Sequence, residues 1–133
     1  MTAATSDRDS QHREAVNFAY PAKGGKVFYV GAMVAVDNGT GFAAPATGAG
    51  TEMIVGVCQK RLDTTSLADG AATVAVRRGC FRVINDPAFP YTLKDVGTSA
   101  RVLDDSTCSK AANADAIGPI VRDVDARGVW IEI

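Results

Sequence analysis

In VAVRRGCFRV, residues 74–83, two adjacent arginines, a glycine and a cysteine interrupt an apolar run. Guanidinium groups grip anions through paired N–H donors and a thiolate is a nucleophile. Arg77, Arg78, Cys80 and Arg82 are therefore the first residues to weigh for chemistry. A nucleophilic thiol needs a base, and the chain holds one histidine, His12, within a polar N-terminal stretch. Its three cysteines, Cys58, Cys80 and Cys108, lie too far apart for metal-ligand or redox spacing. An odd count behind MTAATSDRDSQHREAV, which has no apolar leader core, points to free thiols made in a reducing compartment. Cys58 and Cys80 interrupt apolar strands and read as small buried hydrophobes.

The remaining motifs weaken on inspection. GTGFAA, starting at Gly39, matches a dinucleotide fingerprint, but Pro45, Gly48 and Gly50 follow where a helix must begin. It reads as a hairpin turn. Asp104 with Asp105, and Asp123 with Asp125, are pairs of carboxylates without the further oxygen ligands a metal requires. They read as turn formers, with Asp125 capping the turn DARG. No acids, bases and nucleophiles converge, so an enzyme is the least favoured class and neither cofactor nor metal is expected.

The elements that would position these residues are strands. The 133 residues suit one domain; 47% are hydrophobic, dominated by small and β-branched types, with 13 glycines to turn the chain. Net charge is −1, which offers no global field for nucleic acid or an anionic membrane. No apolar run approaches the ~20 residues that span a bilayer. Strands are expected over KVFYVGAMVAVD, broken at Gly31, with a hairpin at Asn38-Gly39. MIVGVCQKRL reads as a buried strand, and TLKDVGTSA as one helical turn with Thr92 as cap and Gly97 as stop. A closing hairpin turns at DARG, placing Val129, Ile131 and Ile133 on one face and Trp130 and Glu132 on the other. Short strands joined by turn residues predict an all-β barrel or sandwich with at most one short helix, spanning residues 26–133. Residues 1–25 form an N-terminal arm, polar and charge-mixed over its first 16 residues, extended or disordered when free.

Alternation explains the opening stretch. A regular strand through residues 74–83 would put an arginine on each face beside core valines, and an unpaired buried arginine costs several kcal/mol. One extra residue at Arg78–Gly79, a β-bulge with Gly79 at positive φ, shifts the phase. Val74, Val76, Phe81 and Val83 then face the core, while Arg77 and Arg82 face outward.

The ordered set of DRDSQHRE, KVFYVGAMVAVD, EMIVGV, ATVAVRRGCFRV, LKDVG and IVRDVDARGVWIEI covers most of the chain. In that order it resembles head decoration, or cement, proteins of tailed bacteriophages, in particular a family encoded by Mu-like prophages. The layout is also similar to lambda-type head decoration proteins. The resemblance implies a virion protein, assembled in the bacterial host cytoplasm, that binds the outer surface of the expanded head and clamps neighbouring major capsid protein subunits. It implies self-association, often as a homotrimer. Arg8, His12, Arg13, Phe18 and Tyr20 of the arm are candidate capsid contacts; Arg77, Arg82 and Trp130 are candidate subunit contacts. Neither nucleic acid nor membrane is an expected partner. A tail or baseplate adaptor, or a β-barrel module for an oligonucleotide or sugar, would suit the same elements. The module requires a basic or aromatic groove.

Overall fold

A computed structural model describes residues 3, 5–7 and 13–133. Among the described residues the fold is all-β apart from one 3-10 turn, Leu93–Asp95. Five strands build the first sheet: β1 (Asn17–Pro21), β3 (Met33–Asp37), β4 (Ala43–Pro45), β5 (Glu52–Cys58) and β7 (Thr73–Arg77), in the order β1-β7-β5-β3-β4. The sheet curls until its outer strands meet, where Ala22 bridges Ala43 and Lys23 N–H reaches the Ala43 carbonyl at 2.8 Å. A ribbon of β2 (Val27–Phe28) and β6 (Leu62–Asp63) is a separate two-stranded sheet. The second sheet is β10-β11-β8-β9, from β8 (Cys80–Asn85), β9 (Thr107–Cys108), β10 (Ile120–Asp125) and β11 (Gly128–Glu132). Among the described residues no helix is long and apolar enough to cross a membrane.

Two cores lie on either side of a wall made by β3 and β5. Val34 and Cys58 point into one, with Phe28, Ala43, Val74 and Val76. Their neighbours Met33, Ala35, Ile54 and Val57 point into the other, with Val102, Val121, Val129 and Ile131. Successive strand residues face opposite sides, so a strand buried on both faces must be apolar at nearly every position. MVAV and MIVGVC satisfy this.

The stretch VAVRRGCFRV is not one bulged strand. It is β7, then Arg78–Gly79, then β8, and the two strands belong to different sheets. The phase does shift: Val74 and Val76 are buried, Phe81 and Val83 half-buried, and Arg77 and Arg82 exposed. The cause is a change of sheet rather than an inserted ladder residue, and the apolar residues on its two sides fill different cores. Gly79 has a φ of 158°, near the extended limit, and a Cβ there would meet the Phe81 ring at an ordinary 3.5 Å. Register shifts lie elsewhere, with one extra residue at Val55 in β5 and one at Arg122 in β10.

The ordered sheet starts earlier than the expected boundary at Lys26. β1 pairs with β7 from Asn17↔Arg77 to Pro21↔Thr73, and Ala22 is fully buried. Phe18 and Tyr20 turn inward while Asn17, Ala19 and Pro21 turn out. In this register the backbone groups of Phe18 and Tyr20 face β7, so those of Asn17, Ala19 and Pro21 form the outer edge. Glu14 accepts the N–H groups of Val16 and Asn17 at 3.0 and 2.9 Å, and Pro21 has no N–H.

The turns follow their residue types. Asp37 accepts Gly39 N–H at 2.7 Å in the β3–β4 hairpin, so GTGFAA is a turn and returning strand. Asp95 accepts the Thr92 N–H at 2.7 Å to open the 3-10 turn, and Gly97 closes it at φ +89°.

Candidate functional site

The outward face of the second sheet carries the candidates best organised for contact. Arg82 and Trp130 are directly opposed on β8 and β11, with the Arg82 guanidinium 5.8 Å from the indole centroid. The β10–β11 hairpin fixes the indole: Asp125 accepts Trp130 Nε1–H at 2.9 Å through one oxygen, and Arg127 and Gly128 N–H at 2.7 and 3.1 Å through the other. The Trp130 bond, followed by the Arg127 N–H, holds the Asp125 carboxyl below its ordinary range. Arg122 and Glu132 form an exposed ion pair at 3.1 Å on the same sheet. Arg77 does not join this group. It projects from β7 of the first sheet, opposite Asn17 and Val57.

The arm candidates divide. Arg8 and His12 lie outside the described residues. The Arg13 guanidinium stacks 4.7 Å over the Phe18 ring, which in turn stacks on Tyr20 at 6.2 Å. Phe18 and Tyr20 are strand residues packed against the first core. They also line a groove with Met53, Val55 and Ile133. They leave the arm because every second residue of NFAYP is a large aromatic, and that face is drawn onto the barrel. Arg78 pins the segment before them, donating its N–H to the Val16 carbonyl at 2.8 Å and Nη1–H to the Ala15 carbonyl at 3.4 Å.

The thiols do not form a site. Cys58 and Cys108 are buried and Cys80 is exposed, which corrects the expected burial of Cys80; it shares the outward face with Arg82. Burial, with a smaller effect of the Asp104 charge, pushes the Cys108 thiol up to about 12. Burial and then the charge of Glu132 push the Cys80 thiol up as well. A raised thiol pKa leaves little thiolate at neutral pH.

Sequence reasoning missed three buried polar groups. Glu52 accepts Thr47 N–H and Oγ1–H and Ala49 N–H at 2.9–3.0 Å, fastening the loop after β4. Thr64 accepts the Lys26 N–H, and Ser109 donates its hydroxyl to Asp86 at 2.6 Å. Every buried side-chain polar atom described has a partner, so these groups clasp loops. Among the described residues no three His, Cys, Asp or Glu side chains converge as metal ligands. Compared with protein-family models, curated proteins and solved structures, the chain matches none.

Proposed function

We propose that this chain is a virion structural protein of a tailed phage that binds the outer surface of the expanded head and cements neighbouring major capsid protein subunits. The reading takes the protein to be a non-enzymatic building block that associates with itself, as a homotrimer or another oligomer. The observation that supports it is the join between arm and domain. A polar N-terminal segment leaves a well-packed double-core domain at β1, where Arg78 and Glu14 hold residues 14–17 in place. A segment anchored in this way can order on a large partner surface while the domain stays folded.

Co-sedimentation with empty expanded heads tests the proposal. The full chain is expected to pellet with the heads, and a chain lacking residues 1–12, which keeps the Glu14 clasp and β1, is expected to stay in the supernatant. A full chain that never pellets removes the proposal. Full occupancy by the truncated chain removes the role of the arm.

A further inference from the structure

Three turns converge at one end of β8. The first, residues 29–32, is closed by Ala32 N–H on the Tyr29 carbonyl, with Gly31 at φ +88° as a tight turn of this kind requires. The second, residues 104–107, is tied to the first by Met33 N–H on the Asp105 carbonyl at 2.7 Å, and to β8 by Ile84 N–H on the Ser106 carbonyl at 2.9 Å. The third is the DARG turn, whose Gly128 lies so close to the Val83 carbonyl that there is no room for a Cβ. Between them lies a groove of about 300 Å³ lined by Gly31, Arg82, Val83, Ile84, Ser106 and Arg127.

Its chemistry is uneven. Ile84, which lines it, is 54% exposed, and Tyr29 and Val30, in the turn that supplies the lining Gly31, are 55% and 65% exposed. The charged side chains lining it are two arginines, and neither has an ion-pair partner among the described residues. Asp104 and Asp125, on the adjoining turns, direct oxygens to the N–H groups of their own turns. Arg61 stacks 5.2 Å over the Tyr29 ring and adds a third cation beside the same loop. The lining therefore carries two positive charges and no negative one beside Ile84; Asp104, Asp105 and Asp125 stand on the adjoining turns but not among the lining residues.

We infer that this groove is a docking site for an acidic protein segment, one that places a carboxylate between Arg82 and Arg127 and an aliphatic side chain on Ile84. Charge complementarity selects the sign of the partner. The aliphatic floor selects a peptide over a nucleic acid strand, because bases bind by stacking on aromatic rings and no aromatic residue lines the groove. Head binding is a separate matter, since a peptide alone probes the groove.

The test pans a displayed library of random dodecapeptides against the full chain, then measures the enriched peptides by fluorescence anisotropy. Enrichment of Asp or Glu within two residues of Leu, Ile or Val is expected. Affinity should fall at least about tenfold in the Arg82→Glu, Arg127→Glu double variant and weaken with added salt. Lys94→Glu, outside the groove, should leave it unchanged. Arg127→Glu alone, at an exposed turn, carries the test if the pair disturbs the Trp130 stack. Enrichment with no acidic bias, affinity indifferent to both arginines, or a dT12 oligonucleotide binding at these arginines more tightly than any peptide would overturn the assignment.

Discussion

β7 and β8 follow one another in the chain and obey the same alternation, β7 burying and β8 half-burying every second residue, yet they present different outer faces. β7 shows Thr73, Ala75 and Arg77, small or solitary side chains beside Asn17 and Ala19. β8 shows Cys80, Arg82 and Ile84, and across from Arg82 stands the only tryptophan of the chain. Arg77 and Arg82 thus have the same residue type, exposure and strand setting. Only Arg82 has an aromatic partner and a neighbouring groove. What separates a plain exposed arginine from a contact candidate is the strand it faces, and that is a property of topology.

The largest test of this contrast concerns the cores beneath the two faces. Phe28→Ala in the first core and Ile131→Ala in the second should destabilise the chain by about 3–5 and 2–5 kcal/mol respectively in urea unfolding. Because β3 and β5 serve both cores, each variant should unfold in one transition. Trp130 fluorescence, reporting the second sheet, should then coincide with far-ultraviolet circular dichroism. Separate midpoints would show that the shared wall does not couple the halves.

Next in size is the pair Gly128 and Gly79, which have the same φ of 158°. Gly128→Ala drives a Cβ into the Val83 carbonyl and should cost about 1–3 kcal/mol. Gly79→Ala meets only the Phe81 ring at contact distance and should cost less. An equal loss would mean that the sheet change at Arg78–Gly79 needs glycine for its backbone.

Arg82→Ala removes the indole stack and should lower stability by about 0.5–1 kcal/mol, whereas Arg77→Ala should stay within about 0.5 kcal/mol of wild type. Equal effects would erase the distinction between the two faces.

The smallest effect is at acid pH. The Asp125 carboxyl is held down in the folded chain, so its contribution is complete above the unfolded carboxyl pKa of about 3.9 and is lost as pH falls through the lower folded value. Trp130 emission should change across that window in the wild type. Asp125→Asn, which cannot ionise, should abolish the change.

Much of the fold was legible because local chemistry and tertiary structure agree. Asn38-Gly39 and DARG turn where their residue types require, Thr92 opens the 3-10 turn, and Val129, Ile131 and Ile133 share a buried face. The phase shift in VAVRRGCFRV was also legible, since burying either arginine would be costly. Its cause was not: a bulge and a change of sheet both move the alternation by one, and only pairing partners distinguish them. NFAYP escaped because two aromatics set between Asn, Ala and Pro are a weak strand signal until β7 lies alongside. Cys80 could have been placed by its spacing from Arg82 and Ile84, which share its outward face. The groove beside β8 had no signature at all, because its walls are turns about 20 to 95 residues apart that only the fold assembles.

The clasp at the start of β1 bears on how copies of this chain behave when crowded. An exposed sheet edge recruits further strands through its unpaired N–H groups. Along the outer edge of β1, Glu14 occupies the Asn17 donor, Pro21 supplies none, and Ala19 alone still offers one. The same bonds, to Asn17 first and then Val16, lower the Glu14 pKa, so the carboxylate persists in acid where an ordinary glutamate would be protonated. One free donor between Asn17 and Pro21 is a poor template, so this edge is disfavoured for growth of sheet from molecule to molecule.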